Sequence, residues 1–196
     1  KCFTVSGHVN KPGNFEVPMG LPFKELLEMA GGIRDGHKFK AIIPGGSSVP
    51  VLPGEMMMEV TMDYDSIQKT GSMLGSGAVV IMDETTCMVR MLQRISRFYY
   101  SESCGQCTPC REGTGWMYRV ITRIMEGKGT KDDMDRLVDV ANKIEGRTIC
   151  ALGDAAAWPV QSFIKHYRHE FEYMVENQGR SIVDSPEYKA EWQERV

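Results

Sequence analysis

Apolar and polar positions alternate from the first residues of the chain. Phe3-Thr4-Val5-Ser6-Gly7-His8-Val9 has the period of a half-buried strand. Asn10-Lys11-Pro12-Gly13 is turn chemistry, with proline set for the first central position and glycine for a positive φ at the second. Residues 14–17 return as the hairpin partner. Pro22 opens a short helix whose face is Phe23, Leu26, Leu27 and Ala30, and Gly31-Gly32 stops it. Further strands are expected at residues 40–43, 49–52, 60–62 and 77–82, with a short segment around Ile67 between the last two. The result is a small sheet crossed by one helix, of the β-grasp type.

At Met88 the period changes from two to 3.6. Met88, Met91, Leu92, Ile95, Phe98 and Tyr99 form one apolar stripe, and Met117, Val120, Ile121 and Ile124 a second. Met134, Leu137, Val138, Ala141 and Ile144 form a third. Val160, Phe163, Ile164, Tyr167, Phe171 and Met174 form the fourth. Gly127 and Gly129 close the second helix, Thr130 and Asp133 resemble a capping box opening the third, and Gly146 closes it. Four amphipathic helices with short connections predict a four-helix bundle. The expected fold class is therefore α+β: a β-grasp-like domain at residues 1–85, a helical bundle at 86–179, and a charged, proline-containing extension at 180–196.

Composition narrows the function classes. The 196 residues are 42% apolar and 25% charged, the balance of a globular protein rather than of a disordered or fibrous one. No apolar run approaches the length of a membrane helix, so direct membrane insertion is not expected. A net charge of −3 argues against nucleic acid as the main partner. The chain begins Lys1-Cys2-Phe3 with the strand pattern already running, which leads us to expect the later part of a longer polypeptide.

Six cysteines are present, and three of them, Cys104, Cys107 and Cys110, fall within seven residues. No evenly paired disulfide framework explains that cluster, and thiols so grouped bind metal or do redox chemistry. Cys2 and Cys87 stand alone and read as plain thiols. The C-x2-C-x2-C spacing can wrap three thiolates around one compact object. A cubane iron–sulfur cluster needs four ligands, and the common ferredoxin run places the fourth three residues later. Here that position is Thr114. The candidate is Cys150, with 39 residues between it and Cys110. The second helix leaves the triad and the third returns, so the connection that holds Cys150 lies near the triad. Its glycines are expected to let the backbone approach and donate amides to sulfur.

Pro109 suits the first turn of the second helix and would set that helix's positive end near the site. Arg111, and Arg147 with it, either adds positive charge there or is a solvated surface residue. The competing metal is zinc, although structural four-cysteine zinc sites usually pair two separate C-x2-C knuckles. Gly75-Ser76-Gly77 precedes a strand and lacks the context of a dinucleotide loop. His166 and His169 read as a wet surface pair.

Glu102-Ser103-Cys104-Gly105-Gln106-Cys107-Thr108-Pro109-Cys110-Arg111-Glu112-Gly113, with Thr148-Ile149-Cys150-Ala151-Leu152-Gly153-Asp154, resembles the cluster-binding region of the NADH-oxidising flavoprotein subunit of respiratory complex I. Ser6-Gly7-His8-Val9, Ile43-Pro44-Gly45-Gly46-Ser47-Ser48 and Met73-Leu74-Gly75-Ser76-Gly77 resemble that family's soluble-ligand-binding β-grasp domain. The resemblance implies that Cys104, Cys107, Cys110 and Cys150 bind one [4Fe-4S] cluster. In the family a flavin mononucleotide (FMN) takes hydride from NADH and passes electrons singly to this cluster, then on towards quinone. The family's FMN- and NAD-binding half precedes the β-grasp domain and is not in this sequence, so the chain alone is not expected to oxidise NADH.

The implied partners are the other peripheral-arm subunits: a thioredoxin-like [2Fe-2S] subunit and a large multi-cluster subunit. The implied location is the cytoplasmic face of the bacterial inner membrane, or the matrix side in a eukaryote. The cysteine motif is shared with flavoproteins of NAD-linked hydrogenases and formate dehydrogenases. An equivalent module of one of those enzymes, or a zinc-stapled binding domain, is therefore the alternative.

Overall fold

The computed structural model describes residues 1–194. The architecture is mixed α and β, and the chain divides into two compact units, Lys1–Thr86 and a second beginning at Cys87. In the first unit, β1 (Cys2–Gly7), β2 (Gly13–Glu16), β3 (Phe39–Ile43), β4 (Leu52–Pro53) and β5 (Ala78–Asp83) form one sheet in the order β2-β1-β5-β3-β4. The β1–β2 pair is the expected antiparallel hairpin, with Phe3 opposite Phe15 and Val5 opposite Gly13. β1 runs parallel to β5, and β3 is antiparallel to both β5 and β4.

Helix α1 (Phe23–Met29) starts after Pro22 and ends at Gly31 and Gly32, whose positive φ values of 77° and 73° close it. Its buried face of Phe23, Leu26 and Leu27 packs into one core with Phe3, Val5, Ile42, Val79 and Ile81. Burial of each such side chain contributes roughly 1.5–3 kcal/mol. Two short helices, α2 (Gly54–Met57) and α3 (Tyr64–Lys69), complete the unit. The Asp63 side chain caps α3 by accepting from the Ser66 amide at 2.8 Å.

Residues 60–62 depart from the expectation of a strand. Thr61 makes a single bridge to Pro22, and proline has no N–H with which to extend a ladder. The strand expected at 49–52 is reduced to Leu52–Pro53 for a related reason, since Pro50 and Pro53 limit its donors.

The two glycine loops at 44–48 and 73–77 pack directly together. A Cβ on Gly45 would lie 2.5 Å from the Leu74 carbonyl carbon, and one on Gly75 would lie 2.2 Å from the Gly45 oxygen. The Ser76 amide donates to Gly45 O at 3.1 Å, and the Gly46 amide donates to Ala78 O at 2.7 Å. The glycines thus serve close backbone packing.

The second unit is helical: α4 (Met88–Glu102), α5 (Thr108–Met125), α6 (Asp132–Ile144), α7 (Leu152–Glu176) and α8 (Pro186–Glu194). α4 packs against α5 and α7, and α6 packs against the same two helices. Leu92, Ile95, Met117, Ile121, Leu137, Ala141, Phe163 and Phe171 are buried in it. On α4 the buried arc runs through Val89 and Ser96, which leaves the expected core residue Phe98 49% exposed.

Asp133 is fully buried at the start of α6. It accepts from the Thr130 amide at 2.8 Å, the return bond of a capping box, and pairs with Arg123. α7 begins well before its expected apolar stripe, because Ala155, Ala156 and Ala157 carry the helix into Pro159. Beyond α7, Ser181, Ser185 and Tyr188 are buried. Of the extension expected at 180–196, residues 195 and 196 lie outside the described residues. Among the described residues, no helix is long and apolar enough to cross a membrane.

Candidate metal centre

The triad occupies the α4–α5 junction. α4 ends at Ser103, whose backbone turns out of the helix at φ −63° and ψ 123°. Gly105 then takes φ +77°, a left-handed conformation that reverses the chain between Cys104 and Cys107. Cys107 is the residue before α5, and Pro109 sits in that helix's first turn, where its missing N–H costs nothing. Cys110 follows in the same turn. Cys104 is exposed, Cys107 half-buried and Cys110 buried.

Four polar contacts lie at this turn. The Ser103 hydroxyl lies 3.2 Å from Cys110 Sγ and accepts from the Gly105 amide at 3.4 Å. Arg111 Nη1 donates to the Gly105 carbonyl at 3.1 Å, and its Nε pairs with Glu112 at 2.9 Å. Arg111 therefore braces the turn while remaining largely exposed. Arg147 reaches the Asn142 carbonyl at 2.9 Å.

The α6–α7 connection lies against the triad. The Ile149 amide donates to Cys107 Sγ at 3.3 Å, across 42 residues of sequence. Its neighbour Cys150 is exposed, and the Cys150 carbonyl accepts from the Thr148 hydroxyl at 2.9 Å. The connection is tied at its other end by Asp154, which accepts from the Gly146 amide at 2.7 Å. Gly153 is required beside Thr148, because a Cβ there would lie 2.4 Å from the threonine hydroxyl.

The amide that reaches sulfur thus belongs to Ile149. Of the glycines of the connection expected in that role, Gly146 gives its amide to Asp154 instead, and in the triad's own turn the Gly105 amide goes to Ser103. Ser103 and Asp154 lie within the motif in sequence, but their bonds depend on backbone directions that spacing does not reveal.

Among the described residues no group of three or more His, Cys, Asp or Glu side chains is placed to hold a single metal ion. The donor chemistry fits an iron–sulfur cluster all the same: four cysteines on two adjoining segments, an amide already directed at one sulfur, and a hydroxyl beside another. An all-sulfur set also suits zinc. The remaining candidates are not drawn into this site. His166 and His169 flank Tyr167, where α7 leaves helical geometry at φ −127°. Burial and the neighbouring Lys165 push His166 below its ordinary pKa. Cys2 is exposed and Cys87 buried, each apart from the triad in sequence and without a disulfide.

Comparison with known proteins gives a consistent result. Residues 90–174 match the family described as the NADH-ubiquinone oxidoreductase-F iron-sulfur binding region, and residues 2–60 match the SLBB domain. The F-type subunit of NADH-quinone oxidoreductase from Rickettsia bellii (strain OSU 85-389) is 54% identical over 178 residues, 90% of this chain and 43% of that protein. Its counterpart from Rickettsia typhi (strain ATCC VR-144 / Wilmington) is 55% identical over 181 residues, 91% of this chain and 43% of that protein. Among solved structures, the NAD+-reducing [NiFe]-hydrogenase in its H2-reduced state matches with a TM-score of 0.80 and 25% identity, over 96% of this chain and 34% of that one. The chain spans less than half the length of the curated relatives it matches. Over the part that it spans, the chain is similar to the F-type subunits of NADH-quinone oxidoreductase, with a match to that iron–sulfur binding region and, at its start, to an SLBB domain.

Proposed function

We propose that this chain is the electron-relay module of an NADH:quinone oxidoreductase, with Cys104, Cys107, Cys110 and Cys150 holding one [4Fe-4S] cluster. The observation that carries the reading is the Ile149 amide on Cys107 Sγ at 3.3 Å, which sets the Cys150 segment beside the triad. The 54% identity to the Rickettsia bellii protein supports the choice of family.

In this reading residues 1–85 are a β-grasp-like domain, residues 86–179 a four-helix bundle that presents the ligands, and residues 180–196 an extension. The bound cluster supplies one-electron transfer. The protein's work is to hold and tune it. Four thiolates fix its position on two segments rather than one. The α5 N-terminus and the Ile149 amide offset negative charge at the sulfurs, which favours the reduced state. Cys110 is shielded from solvent, while Cys104 and Cys150 face outward, which leaves a side open to an electron donor or acceptor.

FMN and NADH are bound, in this reading, by a part of the full-length protein outside the matched span. The partners are a thioredoxin-like [2Fe-2S] subunit and a large multi-cluster subunit, and the assembly lies on the inner face of the membrane. The structural likeness to NAD+-reducing [NiFe]-hydrogenase supports a second reading, the equivalent module of such an enzyme, at a lower identity of 25%. Co-purifying subunits separate the two.

The direct test is iron, sulfide and zinc analysis of the full-length protein purified without air, with low-temperature paramagnetic resonance after dithionite. About four irons and four sulfides per chain, with a reduced-state signal, are expected. A colourless protein with one zinc refutes the relay.

A further inference from the structure

The contact between Ser103 and Cys110 has a direction that chemistry decides. The Ser103 oxygen already accepts the Gly105 amide at 3.4 Å, and it lies 3.2 Å from Cys110 Sγ. A free thiol could donate to that oxygen. A cysteine bound to metal is a thiolate and has no proton to give. Once Cys110 is a ligand, the bond runs only from the serine hydroxyl to sulfur. The Gly105 amide occupies a lone pair of the oxygen and leaves the hydroxyl proton free for the sulfur.

We infer that Ser103 is a positioning residue that raises the reduction potential of the centre held by Cys110, by donating its hydroxyl proton to that sulfur. The inference rests on the [4Fe-4S] reading above. A donor to a ligand sulfur withdraws negative charge, and the reduced centre carries one more negative charge than the oxidised one. The bond is therefore stronger in the reduced state, and its loss makes reduction harder. Burial of Cys110 strengthens the effect, since solvent does not replace the missing donor there. Ser103 also closes α4, with its amide on the Tyr99 carbonyl at 3.1 Å, so its backbone is anchored beside the first turn of α5.

The test is a potentiometric titration of the full-length protein, followed by paramagnetic resonance, for wild type, Ser103→Ala, Ser103→Thr and Ser103→Val. Ser103→Ala is expected to keep its iron and sulfide content and to titrate at lower potential than wild type. Thr and Val have nearly the same shape and differ in the hydroxyl. Ser103→Thr is expected to stay near wild type and Ser103→Val to follow Ala. If Ala fails to assemble, the Thr and Val pair decides.

Equal potentials for Thr and Val, or equal loss of the cluster in both, would mean that the residue matters only for shape, and the inference falls. A loaded wild type whose potential is unmoved in Ser103→Ala sinks this inference alone. A wild type without iron and sulfide sinks the relay reading and this inference with it.

Discussion

Glu170 on α7 caps α4: its Oε2 accepts the Met88 amide at 3.0 Å in a buried setting, 82 residues away in sequence. Cys87, at the cap position itself, makes no side-chain cap bond. The carboxylate also meets the positive end of the helix dipole. Glu170→Ala leaves that amide unpaired, and a loss of about 1–3 kcal/mol is expected in denaturant unfolding. Glu170→Gln keeps an acceptor and should lose less. Identical midpoints for wild type and Glu170→Ala would show that the cap contributes nothing.

The cysteines separate by role. Cys150→Ala is expected to abolish the cluster signal or convert it to one with fewer irons, and to lower the melting temperature, because ligand binding couples to folding. Cys87→Ala, a buried thiol outside the motif, should retain full iron and sulfide. Elemental analysis alongside the resonance spectrum reads both. An unchanged spectrum in Cys150→Ala would move the fourth ligand elsewhere.

Acid and alkali each remove a different contribution to the first unit. Glu84 bonds His37 Nδ1 at 2.8 Å and raises its pKa above the ordinary 6.5. A raised histidine stabilises the fold fully below that ordinary value, and the contribution fades as pH rises through the folded-state value. Glu84→Gln should therefore lower the unfolding midpoint more at about pH 5.5 than at about pH 8.5.

Asp83 has the other sign. Burial is the largest influence and pushes its pKa up, but the bonds from Thr85 and Arg34 and the charge of His8 together outweigh it, so the net shift is downward from 3.8. Its contribution is present above that value and is lost as pH falls through the lower folded one. Asp83→Asn should flatten the acid limb of the stability curve. An acid limb unaltered by this substitution would show that the buried carboxylate is not its source.

Glycine substitutions distinguish close packing from conformational preference. Gly45→Ala drives a Cβ against the Leu74 backbone at 2.5 Å, and a loss above about 2 kcal/mol is expected. Gly20 has φ +86° with nothing within 4 Å of a Cβ, so Gly20→Ala should cost only about 1 kcal/mol, from backbone strain. Thermal unfolding checks the difference. Equal losses would mean that the loops at Gly45 and Gly75 can move apart.

Several elements are legible in the sequence because local chemistry dictates them. The hairpin of β1 and β2, the stop of α1 at Gly31 and Gly32, and the Thr130–Asp133 cap each depend on residues a few positions apart. Phe98 and residues 60–62 escape such reading for the converse reason. Phe98 lies on the edge of the α4 stripe, and only neighbouring helices decide which edge is covered. Residues 60–62 alternate like a strand, yet their one bridge partner is Pro22.

The cysteine triad, the periods of strand and helix, and the motifs shared with the F-type subunits are all written in local sequence. Spacing of 104, 107 and 110 is local, and a local turn can satisfy it. Tertiary structure alone decided that Ile149 reaches Cys107, that Ser103 stands beside Cys110, and that Glu170 caps α4. Each of those bonds depends on the direction of one N–H or O–H set by the packing of whole helices, and hydrogen-bond strength falls steeply with direction, so no count of residues along the chain contains it.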